Sequence, residues 1–191
     1  MEKEKIISVL RGEEVTLNGL KLAWKAVHPD LRSSHGYRWP WRGQWAWSVT
    51  DQEYSRGGTY PHFIGDGICL AKTWSGAASG RIPAITGLIC GYLPKDVLGE
   101  NPDKLRVTSA FVFEVIDIPS YIRSGYLAGA NMVAANLCGA NLESANFRNT
   151  NLRYSNFKGA NLEFANFIGA NLQGSNFQNA NIENAYGISN Q

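Results

Sequence analysis

Charge is scarce in this chain, and what there is nearly cancels. Of 191 residues, 18 are Lys or Arg and 16 are Asp or Glu, a net charge of +2. That balance excludes recognition of nucleic acid by bulk basic charge, and equally excludes a polyanionic surface. Cysteine is scarcer: Cys69, Cys90 and Cys138 are odd in number and contain no C-x-x-C pair. They argue against a disulfide framework and for a reducing, cytoplasmic setting. No pair of ligands shows zinc spacing, and His62 with Cys69 has no second pair to complete a set, so no metal is expected. No apolar run is long enough to span a bilayer, and the first ten residues are charged and amphipathic rather than a secretion signal. A P-loop, a dinucleotide G-x-G-x-x-G and a nucleophile elbow are all missing.

What is present, above all, is a repeat. From residue 130 to residue 184 a five-residue unit recurs eleven times in register: a small residue, Asn, a large apolar residue, and two variable positions. Ala130-Asn131-Met132 opens the series and Ala180-Asn181-Ile182 closes it. Five is not a helical period, so a helix would smear the apolar residues around its circumference. In extended backbone the small and large residues, two apart, point to one side and the Asn to the other. The two variable residues must then turn the chain so that the next pair meets the same core. Edge, corner and edge build a polygonal coil whose rungs pair by backbone hydrogen bonds.

The unit resembles the pentapeptide-repeat family, written Ala-(Asp/Asn)-Leu-x-x. The resemblance covers about a third of the chain and implies a right-handed, four-sided parallel β-helix with four units per coil. Independently, the large residue alternates Leu and Phe from Leu142 to Phe177, so a period of twenty stacks like on like. Leu142 then falls over Leu162 and Ile182, Leu152 over Leu172, Phe147 over Phe167, and Phe157 over Phe177. About three coils rise roughly 14 Å. The stack's open ends need caps or partners. The N-terminal end meets the preceding domain; at the other the pattern decays at Ala185-Tyr186-Gly187, which predicts a homodimer through the C-terminal coil or a folded-back tail. Some family members are acidic rods resembling duplex DNA that act on topoisomerases. Here Arg148, Arg153 and Lys158 balance Glu143, Glu163 and Glu183. A neutral, short stack lacks the dense charge such mimicry needs, about one per 1.7 Å of axis. The three glutamates fall in one column and read as a solvated face, and Cys138 reads as a surface thiol.

Residues 1–122 read as an α+β recognition domain, 123–187 as the repeat stack, and 188–191 as a tail. Lys3 to Leu10 predicts a short helix stopped near Gly12. Residues 19–28 alternate, with Leu20, Leu22, Trp24 and Ala26 on one side and Lys21 and Lys25 on the other, the mark of a half-buried strand. Residues 51–59 read as an exposed loop, and Gly65 to Ala71 as the start of a strand. A short helix carrying Trp74 ends at Gly80. Residues 84–93 and 105–118 read as strands, joined by a turn region at 94–104.

The most unusual stretch is residues 33–47, where four of six tryptophans lie among arginines. Trp45 and Trp47 share a strand face, and Pro40 and Gly43 make residues 39–43 a loop. Such rings are either the core of a small domain or platforms for a base, a nicotinamide, a sugar or a protein hot spot. The candidate ligand-binding set is His35, Tyr37, Arg38, Trp39, Trp41, Arg42, Trp45, Trp47, His62, Asp66, Lys72 and Trp74.

A second, fainter resemblance rests on His35-Gly36, Gly65-x-Gly67-Ile68-x-Leu70-Ala71, Ser75-Gly76-Ala77-Ala78 and Thr86-Gly87-Leu88-Ile89. This order is similar to the ADP-ribosyltransferase family. It implies NAD as cofactor, His35 as a ribose contact and Glu114 as a late catalytic acid, but Cys69 stands where the family carries a ring-bearing Tyr. The expected function is therefore a non-enzymatic binding protein with no cofactor. The stack serves as rigid scaffold or dimerisation platform, and the Trp/Arg-rich domain binds a protein or a small nucleotide-like ligand. Phage or bacterial inhibition of a host defence is the setting. The alternative is an NAD-using transferase.

Overall fold

The computed structural model describes residues 1–33, 37–47, 68–78 and 81–188. The loop at 51–59, the glycines at 36, 65, 67 and 80, and the last three residues lie outside them.

Helix α1 (Lys3–Leu10) buries Ile6, Val9 and Leu10, the stripe its sequence spacing requires. After it, β1 (Thr16–Leu17) and β2 (Leu20–Val27) form a hairpin over Asn18-Gly19, both at positive φ (51° and 77°). That is the primed turn whose twist matches antiparallel strands. The order continues β3 (Trp45–Trp47), β4 (Ile68–Ala71), α2 (Trp74–Ala78), β5 (Thr86–Tyr92), β6 (Val97–Glu100), β7 (Lys104–Val107), β8 (Ser109–Asp117) and α3 (Ile118–Arg123).

The strands pair antiparallel in the order β3-β8-β5-β2-β4-β7-β6. Only Thr108 separates β7 from β8, and its N–H bonds the Asp96 carbonyl at 2.9 Å. The pairings therefore run from β2 to β5 to β8, through Thr108 into β7, across to β4, and back to β2 by the single Trp24–Ala71 pair. The sheet closes into a ring. Ala23, Val27, Leu70, Leu88, Cys90, Leu105, Val107 and Val112 fill its interior.

Ring closure corrects three expectations. Residues 105–118 are two strands bent at Thr108, because β7 pairs β4 while β8 pairs β5. The turn region at 94–104 contains a 3₁₀ turn (Pro94–Asp96) and the edge strand β6. The second face of β2 is solvated only at its start, where the Lys21 side chain is partly exposed: half-buried Lys25 shares it with Ala23 and Val27, opposite Leu88. Loss of solvation there holds the Lys25 ammonium below its ordinary value, with Cys69 and Cys90 nearby opposing the shift and Lys104 adding to it.

In the repeat segment, parallel bridges join residues twenty apart: Asn131 to Asn151 to Asn171, Asn136 to Asn156 to Asn176, Asn141 to Asn161 to Asn181, and Asn146 to Asn166 to Tyr186. Four units thus make one coil. The Phe columns stack as the alternation requires, Phe147 on Phe167 and Phe157 on Phe177, each at 5.0 Å, with edge contacts between columns. The Asn accepts at its side-chain oxygen from the backbone N–H two residues on, as Asn146 does from Arg148 (3.1 Å) and Asn176 from Gln178 (2.9 Å). That side-chain turn is what Asn contributes to each corner. The last residue of each unit is left-handed, so Gly and Asn recur there, yet Tyr154 (φ 60°) and Phe164 (φ 57°) occupy it as well.

The outer face of the ring, α1, α3 and the interior of the coils share one continuous core from Ile6 to Leu172. The ring domain also caps the first coil. Ala84 N–H bonds the Asn136 carbonyl (2.7 Å), Arg123 reaches the Asn141 carbonyl (2.6 Å), and Arg11 donates to the carbonyls of Tyr126 and Ala128, both at 2.9 Å. The last coil has no following rung for Leu172, Phe177 and Ile182 among the described residues. Among the described residues no helix is long and apolar enough to cross a membrane.

Candidate functional site: an open tryptophan groove

The six tryptophans divide evenly between interior and surface. Trp24 and Trp74 are buried against each other (5.0 Å, edge-on), and Trp39 is 3% exposed, whereas Trp41, Trp45 and Trp47 are 60%, 38% and 63% exposed. The exposed three line one groove of about 490 Å³ together with Leu31, Tyr37, Arg38, Trp39 and Pro40. Neither side of the core-or-contact alternative describes the whole cluster, because Trp39 forms a floor and its neighbours form walls.

The local structure explains this division. On β3 the buried residue is Ala46, paired with Ala110 inside the ring, so Trp45 and Trp47 must point outward. Gly43 N–H to the Val112 carbonyl (2.7 Å) and Val112 N–H to the Gln44 carbonyl (2.9 Å) fasten the preceding loop to β8. Trp39 N–H bonds the Leu31 carbonyl at 2.8 Å, and residues 32 and 38 are bridged. The Trp39 ring therefore enters the ring core while the chain on either side of it stays at the surface. Tyr37 meets Trp39 edge-on at 5.7 Å, and its hydroxyl donates to the Trp47 carbonyl (3.4 Å). Burial raises the Tyr37 phenol, which keeps it a donor at neutral pH. Trp45 packs on Phe111 at 5.5 Å and on Trp47 at 5.8 Å, an aromatic brace that fixes both walls.

Charge at the groove is sparse. Among the described residues, Arg38 is exposed and makes no ion pair, and no carboxylate or lysine lines the cleft. Arg42 is bound instead to Glu114 (3.3 Å), whose other oxygen faces the Met1 amine at 3.6 Å.

Not all of the candidate set comes together. Tyr37, Arg38, Trp39, Trp41, Trp45 and Trp47 do; Arg42, Lys72 and Trp74 do not. Lys72 is ion-paired with Glu100 on β6. Trp74 is a core residue, 2% exposed, its indole N–H bonded to the Leu10 carbonyl at 2.8 Å, so α2 faces α1 and not the groove. His35, His62 and Asp66 lie outside the described residues. Leu31 and Pro40 complete the groove without having been singled out in the sequence; Leu31 sits at φ 64°, a turn position that carries no sequence mark for Leu. Among the described residues no cluster of His, Cys, Asp and Glu has the makings of a metal site.

Comparison with known proteins speaks to the other end of the chain. The model of the Pentapeptide repeats family matches in eight copies, over residues 123–153, 130–163 and 155–186. Residues 123–186 are pentapeptide repeats. No curated protein and no solved structure matches the chain. The pentapeptide-repeat segment accounts for the stack, and the groove stands on the ring domain ahead of it.

Proposed function

We propose that this is a non-enzymatic interaction protein whose tryptophan groove docks a protein partner and whose β-helix holds that groove on a rigid scaffold. The observation that carries the reading is the set of three exposed indoles braced around one open cleft. Large aromatic surface held rigid at a low ordering cost is the composition of a binding hot spot. A nucleotide-like ligand is the weaker reading because among the described residues its phosphates would find one free guanidinium in the cleft, Arg38. The transferase alternative has little to stand on, since both oxygens of Glu114 are engaged and Cys69 replaces the ring-bearing residue.

The same proposal takes the stack as right-handed, the sense implied by the family, and as a dimerisation platform. Ile182 and Tyr186, 45% and 50% exposed on the last coil, are the surfaces for a second copy. The setting is cytoplasmic, as an inhibitor or anti-defence factor of a bacterium or phage.

Two measurements test the groove. Tryptophan fluorescence is titrated with NAD, ADP-ribose, cyclic nucleotides and short oligonucleotides, with no saturable change expected; saturable quenching by any of them replaces the protein partner with a nucleotide. Affinity capture is then compared between the native chain and Trp41→Ala and Trp47→Ala. A partner lost on both substitutions, with the melting transition unchanged, supports the reading. A partner retained by both moves recognition elsewhere.

A further inference from the structure

Resting on the protein-partner reading, the chemistry of the groove narrows what the partner must present. Its walls are aromatic: Trp41, Trp45 and Trp47, with Pro40 beside them in the lining. Among the described residues, none of the three exposed indoles donates a hydrogen bond, so their N–H groups are open to a ligand. The Tyr37 hydroxyl is already committed to the Trp47 carbonyl. Among the described residues the cleft therefore offers apolar aromatic surface with indole donors and no carboxylate acceptor.

Four kinds of occupant meet that surface differently. A strand added to the sheet edge would need β3, but β3 is three residues long and the Trp47 carbonyl is taken. A quaternary ammonium would suit the rings but would face Arg38, the one charge in the lining among the described residues, of its own sign. A single-stranded nucleic acid would stack on the indoles but needs a run of cations along its backbone. Arg38 alone does not supply one, with Arg42 held by Glu114. A proline-rich segment meets every feature. Its rings lie flat against indole faces. Its backbone lacks most N–H groups and asks for few acceptors. Its solvated carbonyls accept from indole N–H, and its polyproline II helix is ordered before it binds, so a shallow cleft suffices.

We propose that the groove binds a proline-rich segment in the polyproline II conformation that carries a carboxylate residue beside its prolines. The carboxylate is the complement of Arg38, which is exposed, lines the cleft and has no ion-pair partner among the described residues. A planar guanidinium and a carboxylate pair through two parallel hydrogen bonds, which sets the direction in which the segment lies.

The experiment uses the full chain and three synthetic peptides with one oligoproline core, flanked by Glu-Glu, by Gly-Gly or by Lys-Lys. Binding is read by tryptophan fluorescence and by calorimetry. The Glu-flanked peptide is expected to saturate, with affinity about tenfold above that of the Lys-flanked one, the size of one charge-assisted pair. Arg38→Glu should reverse that order. Trp41→Ala and Trp47→Ala should each weaken binding by about tenfold or more, the loss typical of a hot-spot ring. Their exposed positions leave the melting transition as the check on folding. Failure of all three peptides to saturate overturns the assignment, as does equal affinity for the three with no response to Arg38→Glu. The capture comparison keeps the two levels apart. Peptide failure with capture still dependent on Trp41 and Trp47 removes only the proline-rich assignment; peptide failure with capture indifferent to both removes the protein-partner reading as well.

Discussion

The stack and the ring domain share one core but treat their two surfaces in opposite ways. In the stack every large repeat residue from Met132 to Phe167 is fully buried, and the positions facing out are Asn and variable residues that turn corners. In the ring domain a lysine and a thiol are turned inward while three tryptophans are turned outward. A repeat has one solution for each inward position and spends those apolar residues on stability. The ring domain departs from that rule at both surfaces, and apolar area left in water is where recognition is to be sought.

The sharpest way to break this comparison is to remove a ring from each region. Phe157 is fully buried and touches Phe147, Phe167 and Phe177, so Phe157→Ala should cost about 3–5 kcal/mol. Trp47→Ala removes a larger ring that is 63% exposed, and should stay within about 0.5 kcal/mol. Urea unfolding of both variants checks the contrast; a comparable loss from Trp47→Ala would make the groove part of the core. Glycine gives a second contrast of the same kind. A Cβ on Gly76 would come within 2.1 Å of the Asp103 carbonyl oxygen, which is backbone, so Gly76→Ala should cost about 2–3 kcal/mol through forced displacement. Gly159 has open space around it and is needed only for its left-handed φ of 65°, which Asn adopts at the same place in other units. Gly159→Asn should therefore cost less than about 0.5 kcal/mol in the same assay.

These contrasts also show what was legible in the chain. The coil was legible because each unit repeats the evidence of the last: the family resemblance implies four units per coil, and the Leu/Phe alternation agrees by stacking like on like at twenty residues. The Asn side-chain turn was not, since its partner is a backbone N–H and leaves no second residue type to notice. In the ring domain, α1, β2 and β5 announce themselves by period. The bend at Thr108 does not, because it is imposed by the different neighbours of β7 and β8. For the same reason alternation placed Lys25 in solvent: a two-residue period says which side chains share a face, not whether a ring has closed over it. Trp45 and Trp47 were legible as a shared face. That Trp39 turns inward depends on the Leu31 turn, and a tryptophan marks floor and wall alike.

Lys25 sharpens the comparison with a smaller effect. Lys25 lies on the inward face of β2 and forms no ion pair among the described residues, so Lys25→Met should stabilise the protein at neutral pH by about 1 kcal/mol. Its pKa is lowered in the folded protein, so the pH dependence has a definite sign. Below the folded value both states hold the proton and the burial penalty is in full force. As pH rises through the folded value toward the ordinary lysine value, the folded chain sheds its proton first and the penalty disappears. The stability gap between Lys25→Met and the native chain should therefore narrow on going from neutral to alkaline pH. A gap that stays constant would make it a matter of packing alone.

The smallest effect concerns the place where the stack itself breaks its rule. Phe164 is 48% exposed and holds the left-handed conformation that its neighbours in the coil assign largely to Gly and Asn. Relief of that strain is worth about 1–2 kcal/mol, and the extra chain entropy of glycine in the unfolded state takes back about 0.5–1. Phe164→Gly should then raise stability by about 0.5 kcal/mol, read as a shift in the urea midpoint with an unchanged slope. Tyr154 is the internal control. It shares the strain at φ 60°, but its ring lies over Gly174, so Tyr154→Gly gives up packing and should show no gain. If Phe164→Gly gains stability and leaves self-association and partner capture untouched, the stack is pure scaffold and the contrast with the ring domain is complete. A gain in stability accompanied by loss of either interaction would put a second recognition surface on the stack, since a strained ring held in water has a role that folding does not supply.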